Sequence, residues 1–314
     1  MAALGNRAEM PIHPMRDSSG VAHDAAALRE RLKDDGYLLL RNLIPRAAVD
    51  AAHRRVADKL QALGWLDPGS PPERCVPADP FPHQAAGSVG TIPGIGDWAN
   101  PLTHEPPLLR VVEAPELVEV CERVFGEPSA TYYRKWLRTV PCGEGTPFHM
   151  DGHLFCHPEW GSPMDATLSA WIPLADTPIA MGGLAVLRGS NSLPGFEHMR
   201  NSYLQNLERV NFIPDDGGEG GVGRGGWPTA STSTLFATNQ SVACWCDPVE
   251  LQNYDPEARW VSTDYRVGDV SLVHGPLLAL ARPALLTARG ARCSCSPWNP
   301  CTARSPTPQS RASA

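Results

Sequence analysis

"ATLSAWIPLADTPIAMGGLAVLRGSN", residues 166–191, decides the fold. Two short runs rich in apolar residues, 166–174 and 183–190, flank a segment of Asp, Thr, Pro and paired Gly. Runs this short, bounded by turn-forming residues, read as strands rather than helices. Similar runs lie on either side: "ATYYRKWLRTV" (130–140), "STLFAT" (233–238), "SVACWC" (241–246) and "DVSLVH" (269–274). Many short strands with turn chemistry between them predict a sandwich or barrel.

Toward the N-terminus the pattern changes to helical. Residues 1–23 read as a mobile arm. Asp24 is placed to cap a helix that closes near Gly36, with a strand to follow at 37–43. Pro45 opens a second helix, whose Val49, Ala52, Val56, Leu60 and Leu63 form one apolar face. Residues 67–107, rich in Pro and Gly, read as a long loop. A helical stretch follows at 108–125, with Pro115 where a first-turn proline belongs. The expected fold class is mainly β with flanking helices: a double-sheet domain over 24–278 braced by N-terminal helices.

The composition is ordinary for a globular chain of 314 residues, 42% hydrophobic and 19% charged. A formal charge of −7 argues against a nucleic-acid partner. No apolar run reaches the roughly 18–20 residues of a membrane span, and the opening residues lack the apolar core of a secretory signal. A cytoplasmic protein is the expectation. Nine cysteines make an odd count for a disulfide framework, and they read as reduced. The Gly-rich stretch 214–232 lacks the strand–glycine–helix context of a nucleotide-binding turn.

Chemistry concentrates in "GTPFHMDGHLFCHPEW" (145–160), which holds three of the ten histidines, His149, His153 and His157, with Asp151 among them. His149 and Asp151 share parity, so on an extended strand both belong to one face. An imidazole and a carboxylate there supply two donors to a divalent metal. Two His and one carboxylate make the facial triad of non-heme Fe(II) oxygenases. The parity of His153 and His157 leaves open a zinc hydrolase using His149, Asp151 and one of them.

"DGYLLLRNLIP" (35–45), "PFHMDG" (147–152), the quoted stretch from Leu168 onward and "YRVGDVSLVHG" (265–275) together resemble the phytanoyl-CoA dioxygenase family, in order and rough spacing, over residues 28–278. The resemblance implies a double-stranded β-helix, or jelly roll, that binds Fe(II) and 2-oxoglutarate and uses O2 to hydroxylate a C–H bond. Succinate and CO2 are the co-products. It implies His149 and Asp151 as iron ligands, Arg138 as a basic residue reaching 2-oxoglutarate, Trp171 as a pocket aromatic and Thr167 as a hydrogen-bonding group for the carboxylate. The arginine that clamps the co-substrate falls near Arg289 or Arg292.

The chain also departs from the family pattern. The third ligand, a histidine, is expected five residues beyond His274, where Ala279 stands, and no histidine follows His274. His274 is therefore the remaining candidate on that side. Residues 279–314 read as an Ala-, Arg-, Ser- and Pro-rich tail. From Val270 onward there is no Asp or Glu, as if the reading frame were disturbed between about 275 and 296. Two functions follow: a 2-oxoglutarate-dependent oxygenase acting on a small, lipid-like or acyl-type molecule, or a catalytically impaired homologue that serves as a binding module.

Overall fold

The computed structural model describes residues 11–79, 99–131, 135, 137, 146–150, 167–197, 222–223, 227–228, 252–274 and 278–281. Its strands are β1 (His13–Pro14), β2 (Tyr37–Leu40), β3 (Thr146–Met150), β4 (Leu168–Trp171), β5 (Leu184–Arg188), β6 (Val222–Gly223), β7 (Trp227–Pro228), β8 (Arg259–Ser262), β9 (Val270–His274) and β10 (Leu278–Ala281). Its helices are α1 (Ala25–Asp35), α2 (Arg46–Ala62), α3 (Ala99–Leu102), α4 (Pro106–Val112) and α5 (Pro115–Phe125). One sheet runs β1-β8-β5-β10-β3, a second β2-β9-β4, and β6-β7 form a small pair. The strands expected at 233–238 and 241–246, and most of 130–140, lie outside the described residues.

The two larger sheets face each other. Tyr37, Leu39 and Val273 of one sheet and Leu184, Val186 and Val261 of the other share a buried cluster with Met15 and Tyr265. The intervening residues of the three-stranded sheet, Leu38, Leu40, Val270 and Leu272, belong to a different core with Leu28, Val49, Val56, Leu108, Leu117 and Val120 of the helices. The helices thus cover one face of that sheet and the five-stranded sheet covers the other. This explains why "YLLL" shows no polar alternation and is buried at all four positions.

Local chemistry sets the helix ends. The Asp24 carboxylate accepts from the backbone N–H groups of Ala26 and Ala27, at 2.9 and 3.1 Å. Gly36 closes α1 at φ +80°, a conformation that costs glycine little. In α2, Val49, Ala52, Val56 and Leu60 are buried as their spacing predicts. Leu63 is not: the helix ends at Ala62, and Leu63 is 37% exposed. The stretch 108–125 is two helices, because Pro115 cannot continue α4 and instead starts α5.

Two features differ from the sequence reading. Within the expected N-terminal arm, His13 and Pro14 pair in parallel with Val261 and Ser262, and Met15 is buried between the sheets. At the other end, β10 carries sheet pairing through Ala281, into the stretch read as an atypical tail. Among the described residues, no helix is long and apolar enough to cross a membrane.

The imidazole of His53, on α2, lies 3.5 Å from the Cys75 thiol. Burial pushes the Cys75 thiol up to about 12, so this cysteine is an inert packing residue. Burial also pulls the His53 pKa below its ordinary value, partly opposed by Asp50 and Glu73. The unfolded chain then takes up a proton below about pH 6.5 that the folded chain still refuses. Stability is therefore full at neutral pH and falls as the pH drops through that window. Denaturant midpoints measured between about pH 7.5 and 5.5 should fall more steeply for the parent chain than for His53→Gln.

Candidate active site

The site is built on one row of the five-stranded sheet. Across β5, β10 and β3, Val186 pairs with Ala279, and Ala279 pairs with His149. Directly opposed residues of an antiparallel ladder share a face, with Cβ atoms about 4.5–5.5 Å apart. Val186 is fully buried in the cluster between the sheets. Position 279 is thus the cross-strand partner of both Val186 and His149.

Among the described strands, β3 lies at one end of this sheet, with β10 as its neighbour. Its register slips between Ala279↔His149 and Ala281↔Thr146, placing Pro147 and Phe148 in an irregularity. Proline has no N–H for the ladder, so an end strand with a bulge is where a sheet accepts it. The bulge also resets parity just before His149. Without it, the face assigned to His149 would be inverted.

The opposing wall comes from β4. Trp171 packs against the inter-sheet cluster, and its ring centroid lies 4.5 Å from that of Tyr265, tilted by 52°. Thr167 is 5% exposed and shares parity with Trp171. The Tyr265 hydroxyl is held beside Ser271 Oγ at 3.1 Å and the Met15 sulfur at 3.2 Å. Burial raises its pKa far above the ordinary phenol value, so it stays protonated. Sequence reading did not single out Tyr265, Ser271 or Met15. The signal available was the alternation of "DVSLVH", which puts Ser271 and Val273 on one face.

His274 stands elsewhere. It ends β9 in the three-stranded sheet, and its cross-strand partner is Leu168, which packs on the helix-side core. Its parity matches Val270 and Leu272, which lie in that same core. Asp151, Arg138, Arg289, Arg292, His153 and His157 lie outside the described residues. Among the described residues, no group of three His, Cys, Asp or Glu side chains could hold a metal ion. His149 lies on β3, and its cross-strand partner on β10 is Ala279, a residue type without a donor atom.

Residues 32–283 match the family model described as Phytanoyl-CoA dioxygenase (PhyH). The chain belongs to the phytanoyl-CoA dioxygenase family. Members of this family are Fe(II)- and 2-oxoglutarate-dependent dioxygenases. The chain is 27% identical over 191 residues to a 1-deoxypentalenic acid 11-beta-hydroxylase of Streptomyces exfoliatus, covering 58% of this chain and 60% of that protein. It is 25% identical over 193 residues to the enzyme of the same name from Streptomyces arenae, with the same coverage. The match thus spans about three-fifths of the length of these curated relatives. Solved structures resemble it more loosely. The carbocyclase SnoK of nogalamycin biosynthesis aligns at TM-score 0.44 and 17% identity, over 88% of this chain and 82% of that one. The epimerase SnoN, in complex with Fe3+, alpha ketoglutarate and nogalamycin RO, aligns at 0.43 and 17%, over 83% and 78%.

Proposed function

We propose that this chain is a 2-oxoglutarate-dependent oxygenase that hydroxylates a C–H bond of a small or lipid-like molecule, on a sandwich closed as a jelly roll. The observation that supports this reading is the match of residues 32–283 to this dioxygenase family, with His149 lying on a strand of the five-stranded sheet. His149 and Asp151 are the proposed metal donors. Arg289 or Arg292 would take the distal carboxylate of 2-oxoglutarate, since a guanidinium fork matches a carboxylate bidentately. Arg138 and Thr167 are proposed as further polar contacts to the co-substrate, and Trp171 as a wall that keeps the pocket dry. Bound iron with 2-oxoglutarate and O2 supplies the oxidising chemistry, while the protein supplies orientation and exclusion of water. The hydroxylase relatives favour a natural-product-sized substrate over a macromolecule.

The second reading, an impaired homologue acting as a binding module, is favoured by one observation: Ala279, which has no donor atom, is the cross-strand partner of His149. Anaerobic titration with Fe(II) and 2-oxoglutarate separates the two. The first reading expects a visible charge-transfer band that saturates and is lost in His149→Ala. A parent chain with no band at saturating reagents would leave only the second.

A further inference from the structure

We propose that Tyr265 is a positioning residue for Trp171, and that residues 11–18 are the clasp that holds Tyr265 in place. This role rests on the oxygenase reading above, in which Trp171 walls the pocket, and it names what fixes that wall. The clasp joins the two larger sheets. His13 and Pro14 pair with β8 of the five-stranded sheet, and the Met15 N–H donates to the Ser262 carbonyl at 3.0 Å. Further on, the Ser18 N–H donates to the Leu39 carbonyl of the three-stranded sheet at 2.8 Å. Between them, the Arg16 N–H donates to the Tyr37 hydroxyl at 2.8 Å. Met15 and Ser18 are the buried residues of this segment, and the rest of it is half-buried or exposed. A segment held by few, solvent-edged hydrogen bonds opens at a free energy well below that of global unfolding.

Inside the sandwich, Met15 meets Tyr265. The Tyr265 hydroxyl lies 3.2 Å from the Met15 sulfur, 3.1 Å from Ser271 Oγ and 3.4 Å from the Leu184 carbonyl oxygen. One group thus touches the clasp, β9 and β5. Ser271 Oγ–H is able to donate to it, which leaves the phenol proton for the sulfur or the carbonyl. The Tyr265 backbone pairs with Thr177 in both directions, at 2.8 and 3.0 Å. Its ring lies so close to Gly183 that a Cβ there would come within 3.0 Å of it. Tyr265 is therefore held at its backbone, its ring and its hydroxyl, and the clasp supplies one contact at the hydroxyl. The Trp171 ring rests on it, 4.5 Å away between centroids. Trp171 is only partly buried, and an indole in that position depends on such ring contacts for its orientation.

The test uses the full-length chain with Met15→Ala, which removes the contact with the Tyr265 hydroxyl, and Met15→Leu, which restores the volume. Trp171 emission, taken as the difference between each chain and its Trp171→Phe version, is quenched with acrylamide under conditions where urea midpoints show every chain folded. The Trp171 quenching constant should rise at least about twofold in Met15→Ala, as a loosened clasp exposes it. Met15→Leu should return it close to the parent value. Tyr265→Phe keeps the ring and drops the hydroxyl, and should raise quenching as well; it carries the comparison if Met15→Ala does not fold. In anaerobic titration with Fe(II), the half-saturation of 2-oxoglutarate should rise in parallel, at least about threefold for Met15→Ala, and recover in Met15→Leu. Unchanged quenching in Met15→Ala and Tyr265→Phe overturns the proposal. So does a rise in quenching that leaves half-saturation at the parent value, because Met15 then serves stability alone. The quenching arm needs neither metal nor co-substrate. A parent chain without a charge-transfer band therefore sinks the oxygenase reading, while a rise in quenching still upholds the hold of Tyr265 on Trp171.

Discussion

Trp260→Ala should cost about 4 kcal/mol of folding stability, the largest effect expected of any single truncation in the described fold. Trp260 is fully buried. It sits in β8 opposite Leu187 of β5, which is equally buried, on the outer face of the five-stranded sheet. Its strand neighbour Val261 faces the inter-sheet cluster, so β8 is packed on both sides and has little freedom to collapse into the space an indole would leave. Cavities that cannot close are the costly ones. Trp260→Phe, which keeps an aromatic ring, should lose roughly half as much. Urea midpoints with unchanged slopes for both variants would check this. A cost below about 1 kcal/mol for Trp260→Ala would mean that this face repacks readily. The row of Val186, Ala279 and His149 would then rest on a softer strand than its burial suggests. The link is direct, since β5 is hydrogen-bonded to β8 on one side and to β10 on the other.

Helices α1, α2 and α5 and the three-stranded sheet were readable because their causes are local, whereas α3 and the first turn of α4 fall in the stretch 67–107 that read as a loop. Asp24, Gly36, Pro45 and Pro115 act on the backbone within a few residues, and the structure uses each where the sequence places it. Leu63 failed because apolar spacing continues one residue past the point where the helix does. Strand β8 was missed because "RWVS" offers only two apolar residues. Its identity comes from pairing with β5 and β1, which are remote in sequence. Strand β10 was hidden for a related reason. "LALA" carries weak β-preference, and the surrounding Ala- and Arg-rich composition masked it. Pairing on both flanks makes it a strand.

The site divides along the same line. The motif around His149 and the family likeness were visible in the residues, and the match over 32–283 agrees with that likeness. The neighbour of His149 was not visible. Counting from His274 gives position 279 but cannot say what it faces, because register is a property of two strands. Nor could sequence fix the face of His274. Its parity is assigned by which sheet face the helices cover, and that depends on the packing of α1, α2, α4 and α5 together.

Asp269→Ala should cost about 3 kcal/mol, because it leaves donors without an acceptor and a guanidinium without its counter-charge. Asp269 is 2% exposed. Its carboxylate accepts from Arg41 Nη1 at 2.6 Å, the Asn42 backbone N–H at 3.0 Å and the Arg266 backbone N–H at 2.9 Å. Arg41 also donates to the Asp264 carbonyl at 2.9 Å and to the Thr263 hydroxyl. Beside it, Gly268 holds φ +95°, and a Cβ there would come within 2.8 Å of the Ile44 carbonyl oxygen. This knot ties the end of β2 to the start of β9. Its consequence reaches the candidate site, since β9 is the strand that holds β4, with Thr167 and Trp171. Asp269→Asn keeps the shape and one acceptor oxygen while losing the charge, and should cost about half as much. Arg41→Met combined with Asp269→Asn should cost less than the two single changes added together, because one interaction is then removed rather than counted twice. Additive losses in that cycle would show that the ion pair is incidental and that the two backbone N–H groups alone hold Asp269 in place.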